Sequence, residues 1–207
     1  NKLKGMIIPE LEAVSGKKIT VQKIYFNIIP FYVEAKNMEV SSDNGDEILT
    51  VNKVKRYIDL MNLLERNISI QRLIFKNPHI VSDREQIEDI VSNIKNYSKK
   101  EDETKIKVKV EVDIIECDDG VVSFMDRKTN SIIHINGLDG EVALEEEPEI
   151  KVSIKNFDVK KSGWPDLTGD FKTSVVLKKD NIEVKSLELG SYGSRLKGKG
   201  FYSEGKS

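Results

Sequence analysis

Hydrophobic and polar residues alternate over long stretches of this chain. In residues 105 to 115, KIKVKVEVDII, the side chains of Ile106, Val108, Val110, Val112 and Ile114 fall on one side of an extended backbone, and Lys105, Lys107, Lys109, Glu111 and Asp113 on the other. That is a strand with one face in water. Comparable runs predict about ten strands, separated by the turn-forming pairs Asn44-Gly45, Asp119-Gly120, Asn136-Gly137, Asp139-Gly140 and Asp180-Asn181. Gly190 to Ser194 reads as one more turn.

Helical spacing is confined to two places. Leu3, Met6, Ile7, Leu11 and Val14 predict a short amphipathic helix over residues 1 to 14, kinked at Pro9 and stopped by Ser15-Gly16. A second helix near 83–97 is announced by Ser82 and Glu85 as a capping box, with Ile87, Ile90, Val91 and Ile94 on one stripe. Residues 57 to 67 are ambiguous between strand and helical turn. A polar connector at 98 to 104, KKEDET within it, divides the chain into residues 1–98, which hold both helices, and 105–207, which hold strands and turns.

A finer pattern runs through the strands. In ITVQKIYF (19 to 26), VEAKNMEV (33 to 40), ISIQRLIF (68 to 75), VSIKNFDV (152 to 159) and IEVKSLEL (182 to 189), two alternate apolar positions are followed by two polar residues and two more alternate apolar positions. IHINGLDG (133 to 140) is a shortened version. The extra residue would throw the second apolar pair onto the wrong face unless something restores the phase. A β-bulge within one strand does so, and so does a short turn between two strands. Repetition of the slip favours the bulge, and bulges at matching depths curl a sheet. The expected fold is mainly β, of the α+β kind: a strongly curved, bulged antiparallel sheet forming an open groove, with the two helices beside it.

Charge narrows the function. A net charge of -2 offers no basic field for nucleic acid. Cys117 is the only cysteine, so no disulfide forms within the chain, and a zinc site would need His79 and His134 from distant segments. No apolar stretch approaches the roughly 20 residues of a membrane span. Asn1 in place of an initiating Met suggests a leader or anchor removed upstream.

Candidate chemistry is sparse. His134 lies between Ile133 and Ile135 and so points away from their face, while His79 follows Pro78 at a strand edge; neither has a convergent partner in the sequence. The acidic groups Asp43 to Glu47 and Glu145 to Glu147 lack calcium-loop spacing and read as solvated turns. Arg195, Lys197 and Lys199 alternate opposite Leu196, as a solvent face or a surface for lipid headgroups. Trp164 sits before Pro165 in a loop, as an interfacial anchor or a cover folded over the sheet. With no nucleophile and base in view, neither an enzyme nor a cofactor is expected.

The segment SGKKITVQKIYFNIIP after a helix, followed by ISIQRLIFKNPHIV, resembles the N-terminal region of the AsmA family of bacterial envelope proteins, with Gly16, Leu73, Phe75, Pro78 and Ile80 at the matching positions. KVEVDIIECDDGVVSFMD is similar to the family's strand, acidic-Gly turn and strand, and IEVKSLELGSYGSRLKGKGFY to its recurring hairpin, ending here in Leu196, Gly198 and Gly200. The resemblance implies a periplasmic body tethered to the inner membrane of a Gram-negative-type cell by an N-terminal helix not present in these residues. It also implies kinship with bridge-like lipid transfer proteins, whose curved sheets conduct phospholipids between membranes. Ten strands make a sheet of roughly 50 Å, which would shelter a few lipids and suits the inner-membrane end of something longer.

Two functions follow as expectations. In the first, the sheet's apolar wall holds acyl chains and takes part in phospholipid transfer to the outer membrane. Its lining is then expected to comprise Ile106, Val108, Val110 and Val112, with Ile133, Ile135, Val142 and Leu144 next to them. Val152, Ile154, Val175, Leu177, Ile182 and Val184 complete it. In the second, the same sheet closes into a sandwich or barrel, and the protein is a scaffold for outer-membrane assembly, since inward alternation looks identical whether a second sheet or a lipid fills the space.

Overall fold

The computed structural model describes residues 8, 9, 11–13, 15–28, 31–42, 44–58, 67–100 and 109–203. Ten strands follow one another across a single sheet in the order of the chain: β1 (Lys18–Ile28), β2 (Phe31–Ser41), β3 (Glu47–Ile58), β4 (Asn67–Asp83), β5 (Lys109–Asp126), β6 (Ser131–Ala143), β7 (Glu149–Lys161), β8 (Leu167–Leu177), β9 (Asn181–Ser191) and β10 (Ser194–Ser203). The sheet is open: β1 and β10 are its two edges and do not pair with each other. Neither a sandwich nor a barrel forms among the described residues, so the closed core is not what the strands build.

Neighbours are antiparallel except β4 and β5, which run parallel. A parallel pair needs a crossover, and here it contains the helix α1 (Arg84–Lys100). The two halves divided near residues 98 to 104 are therefore joined in one sheet, with Ile70 beside Val112 and Phe75 beside Cys117. Helix α1 runs past the predicted end at 97 and is capped differently from expectation. Asp83 Oδ1 accepts from Gln86 N at 2.9 Å, and Asp83 N donates to Gln86 Oε1 at 3.1 Å. The reciprocal box is thus Asp83 with Gln86, one residue later than Ser82 with Glu85; Ser82 still belongs to β4 and is buried there.

Of the helix predicted over residues 1 to 14, positions 8, 9 and 11–13 are helical and the rest lies outside the described residues; Ser15, expected in the stop, is helical as well. Gly16, at φ +64°, ends it, its N–H bonding Glu12 O at 2.8 Å. A Cβ there would run into the Asn93 side chain of α1, and at this φ glycine is the residue without strain. Lys17 Nζ to Asp89 at 2.5 Å and Asn93 Nδ2 to Ser15 O at 3.3 Å fix α1 against this turn. Ile8 packs on Ile19, Val21 and Val40, the core cluster of the molecule.

The phase slips fall inside strands: between β5 and β6, β7 and β8, β8 and β9, and β9 and β10 they coincide with register shifts of the β-bulge kind, whereas from β1 to β4 and between β6 and β7 one residue of each strand drops out of the pairing and the register is kept. In β1 and β2 the register runs from Val21↔Met38 to Lys23↔Lys36, leaving Gln22 and Asn37 unpaired between them. The same step falls at Asn37 and Asn52 between β2 and β3, and at Asn52 and Asn77 between β3 and β4. It recurs at Gly137 and Lys155 between β6 and β7. Asn37, Asn77, Asp119 and Gly137 take the slip at φ +50°, +47°, +54° and +65°. Asn, Asp and Gly tolerate this left-handed conformation best. Asp119-Gly120, Asn136-Gly137 and Asp139-Gly140 are accordingly not turns: the first lies inside β5 and the other two inside β6. Asn44-Gly45 and Asp180-Asn181 do join strands, and Tyr192-Gly193, both at positive φ, joins β9 to β10. Pro78, which has no N–H for a ladder, follows the Asn77 slip, the place in an interior strand where a proline is tolerated.

Candidate functional site

Register carries one face across all ten strands. From Ile133 in β6 it passes to Phe124 and Val159, from Ile135 to Val122 and Phe157, and beyond the slip from Leu138 to Ile154 and Phe171. In β9 it takes Ile182, Val184, Leu187 and Leu189, and in β10 Leu196 and Tyr202. In β1 to β3 it takes Ile19, Val21, Ile24, Val33, Ala35, Met38, Val40, Leu49, Val51 and Val54. Each slip returns the second apolar pair to the face of the first, as Ile24 and Ala35 packing on Ile19, Val21 and Val40 illustrates, which is why the pattern of two, slip, two is compatible with one wall.

The opposite face is polar and laced by ion pairs across strands. Arg72 Nη1 meets Glu116 at 2.9 Å, Lys155 Nζ meets Asp119 at 3.1 Å, Lys151 Nζ meets Glu141 at 3.1 Å and Lys197 Nζ meets Glu188 at 2.9 Å. Lys76 pairs with Asp118, and that hydrogen bond pushes the lysine pKa up. Along the slips the polar side chains bond one another: Asn37 Nδ2 to Gln22 Oε1 at 2.5 Å, Asn77 Nδ2 to Asp119 at 3.3 Å, and Asp119 N to Asp139 Oδ1 at 2.9 Å.

The apolar face has little cover. Among the described residues the packed elements are successive strands, with α1 against β4 and β5 and Ile8 against β1 and β2. Among the described residues six apolar side chains are buried: Ile19, Val21, Val40, Ile48, Val51 and Val176. The accessible surface, 14416 Å², is about half as much again as the ~9,800 Å² of a compact monomer of this mass.

The residues expected to line a lipid wall are placed as follows. Ile106 and Val108 lie outside the described residues, and Val110 belongs to β5 without a described side chain. Val112, Ile133, Ile135, Val142, Val152, Ile154, Val175 and Val184 share the apolar face and are half-buried; Leu177 and Ile182 share it and are exposed. Leu144 follows the end of β6, 45% exposed. Ile114 departs from the expected alternation. A second slip between Val112 and Ile115 turns it to the polar face, opposite Arg72. Sequence reasoning left out the second apolar pair of each pattern, such as Phe157 and Val159 or Leu187 and Leu189, although the repeated pattern itself assigns them to the same wall.

Other candidates resolve plainly. His134 is exposed on the polar face, its Nδ1 3.2 Å from Ser123 Oγ. His79 lies within interior strand β4, opposite Thr50, rather than at an edge, and is exposed. The Cys117 thiol is half-buried on the apolar face, and burial pushes its pKa up, away from reactivity. Trp164 is 68% exposed under Lys161 Nζ and is not folded over the sheet. Arg195 and Lys197 face away from Leu196 and pair with Asp170 and Glu188. Among the described residues no cluster suited to a metal ion occurs, and no helix is long and apolar enough to cross a membrane. No family model matches the chain, and none of the curated proteins is significantly similar to it.

Proposed function

We propose that the apolar face of the sheet binds acyl chains, and that the protein is an AsmA-like periplasmic domain taking part in phospholipid transfer between the inner and outer membranes. The observation that carries this is a single-layered sheet with one continuous aliphatic side and no second layer among the described elements. Nine interstrand spacings of about 4.8 Å and some eight shared residues at about 3.3 Å give a face on the order of 1,000 Å². Patches of that size are uncommon on soluble monomers and mark a ligand or partner. Lipid tails are suited to it because they ask for no hydrogen bonds from the wall.

A fluorescent phospholipid analogue titrated into the purified protein tests this reading. Micromolar binding is expected, with loss of at least tenfold in Ile154→Asp while the far-UV circular dichroism stays that of a β protein. Absence of binding by the wild-type chain, together with absence of copurified phospholipid in native mass spectrometry, would leave the scaffold as the better reading.

A further inference from the structure

In β3 the slip pattern recurs as Leu49-Thr-Val51-Asn-Lys-Val54-Lys-Arg56, and its last apolar slot holds an arginine. Register puts Arg56 on the apolar wall, between Val33 of β2 and Leu73 of β4. The other charged groups on this face among the described strand positions and their flanks sit at the opposite ends of the strands and are satisfied or exposed. Lys17 pairs with Asp89, Asp126 with Arg84, and Lys161 is exposed beside Trp164.

Arg56 has no such partner among the described residues. Its Nε is buried without a hydrogen bond, and it forms no ion pair with the described residues. Burial lowers its pKa from the ordinary value, as expected for a cation partly withdrawn from water. The nearest acid in the register, Glu34, points to the opposite face, where Lys36, Lys53 and Lys55 lie 3.6 to 4.0 Å from it. A half-buried guanidinium with an orphaned nitrogen is costly to maintain. It becomes favourable if the site is completed by an oxyanion, which the planar fork of arginine grips through two parallel hydrogen bonds.

Resting on the acyl-chain reading, we infer that Arg56 is the headgroup contact of the wall: it holds the phosphate or carboxylate of an anionic amphiphile whose chains lie along Val54, Leu73 and Phe75. Charge complementarity selects this occupant, because a neutral lipid leaves the guanidinium unpaired and a free anion leaves the aliphatic wall uncovered.

The experiment compares short-chain ligands with identical tails by isothermal titration: dihexanoyl phosphatidate, dihexanoylglycerol and, separately, inorganic phosphate. Wild type is expected to prefer the phosphatidate over the glyceride by about tenfold, with hexanoate competing and inorganic phosphate alone not binding. In Arg56→Gln the preference vanishes while glyceride binding persists, and Arg56→Lys restores part of it. If Arg56→Gln keeps the wild-type preference, or if inorganic phosphate binds as tightly as the phosphatidate, the headgroup assignment is wrong while the acyl-chain reading stands. If neither lipid binds the wild-type protein, it is the acyl-chain reading that fails. Unchanged circular dichroism of both variants separates loss of binding from loss of fold.

Discussion

The two edges of the sheet carry the same strand pattern and are buried very differently. Of the six apolar residues buried among those described, Ile19, Val21, Val40, Ile48 and Val51 lie in β1 to β3, whereas β8 to β10 contribute Val176 alone, and every residue of β10 is exposed. Composition does not explain this, since ITVQKIYF in β1 and IEVKSLEL in β9 place aliphatic side chains in the same slots. Cover does. Ile8 packs onto β1 and β2, and α1 is held against the turn before β1 by Asp89 and Asn93. No described element does the same for β8 to β10. The alternation selects which face is apolar; a separate piece of chain decides whether that face becomes a core.

A pair of matched substitutions should break the symmetry of pattern most visibly. Val51 is 1% exposed, so Val51→Asp puts an unpaired carboxylate into the core and is expected to cost about 4 kcal/mol or more. That is a large fraction of the stability of a typical domain. Ile182→Asp occupies an equivalent face position in β9 but is 39% exposed, and about 1 kcal/mol or less is expected. Urea midpoints followed by circular dichroism measure both. Equal losses at the two sites would mean that the face is as well covered at β9 as at β3.

The sequence made the strands, their faces and the phase slips legible, because period-two alternation and its interruption are local properties of the chain. It misread Asp119-Gly120 and Asn136-Gly137 as turns because the same residues serve both a hairpin and a left-handed bulge; only pairing partners on both sides distinguish them. The parallel pairing of β4 with β5 was hidden for a related reason, since direction of pairing depends on where the crossover returns the chain. Arg56 escaped notice although the signal was present: it fills an apolar slot in a pattern that β1, β2, β7 and β9 complete with Phe26, Val40, Val159 and Leu189.

The slips themselves offer the next test, smaller than the loss of core. Gly137 sits at φ +65°, where a Cβ would come within 2.5 Å of the Lys155 side chain. Gly137→Val combines that clash with a left-handed β-branched residue, and about 2 kcal/mol should be lost. Asn77, at φ +47°, can be replaced by glycine within about 0.5 kcal/mol, since glycine takes this conformation without strain and forfeits only a long hydrogen bond. If Gly137→Val were silent in thermal or urea unfolding, the slip would not need its left-handed residue.

The mildest effect is expected at the clasp that ties α1 to the end of β5, and its signature is a dependence on pH in acid. Asp126, at the end of β5, is buried and its pKa is lowered to about 2, first by the hydrogen bond from Arg84 at the start of α1, then by those from Thr129 and Lys128, with burial opposing. Arg84 Nε donates to Oδ2 at 3.0 Å, and the Lys128 amide donates to Oδ1 at 2.9 Å. The folded pKa lies below the unfolded value of about 3.9, so the folded state binds fewer protons over that interval. The carboxylate therefore stabilises fully above about pH 4, and the contribution is lost as the pH falls from there toward 2. Asp126→Asn lacks the charge at every pH. The difference in urea midpoint between wild type and Asp126→Asn should be constant from pH 7 to 5 and narrow between pH 4 and 2. A difference that ignored pH would mean that hydrogen-bond geometry alone, and not the ionised clasp, holds α1 to the β5–β6 turn.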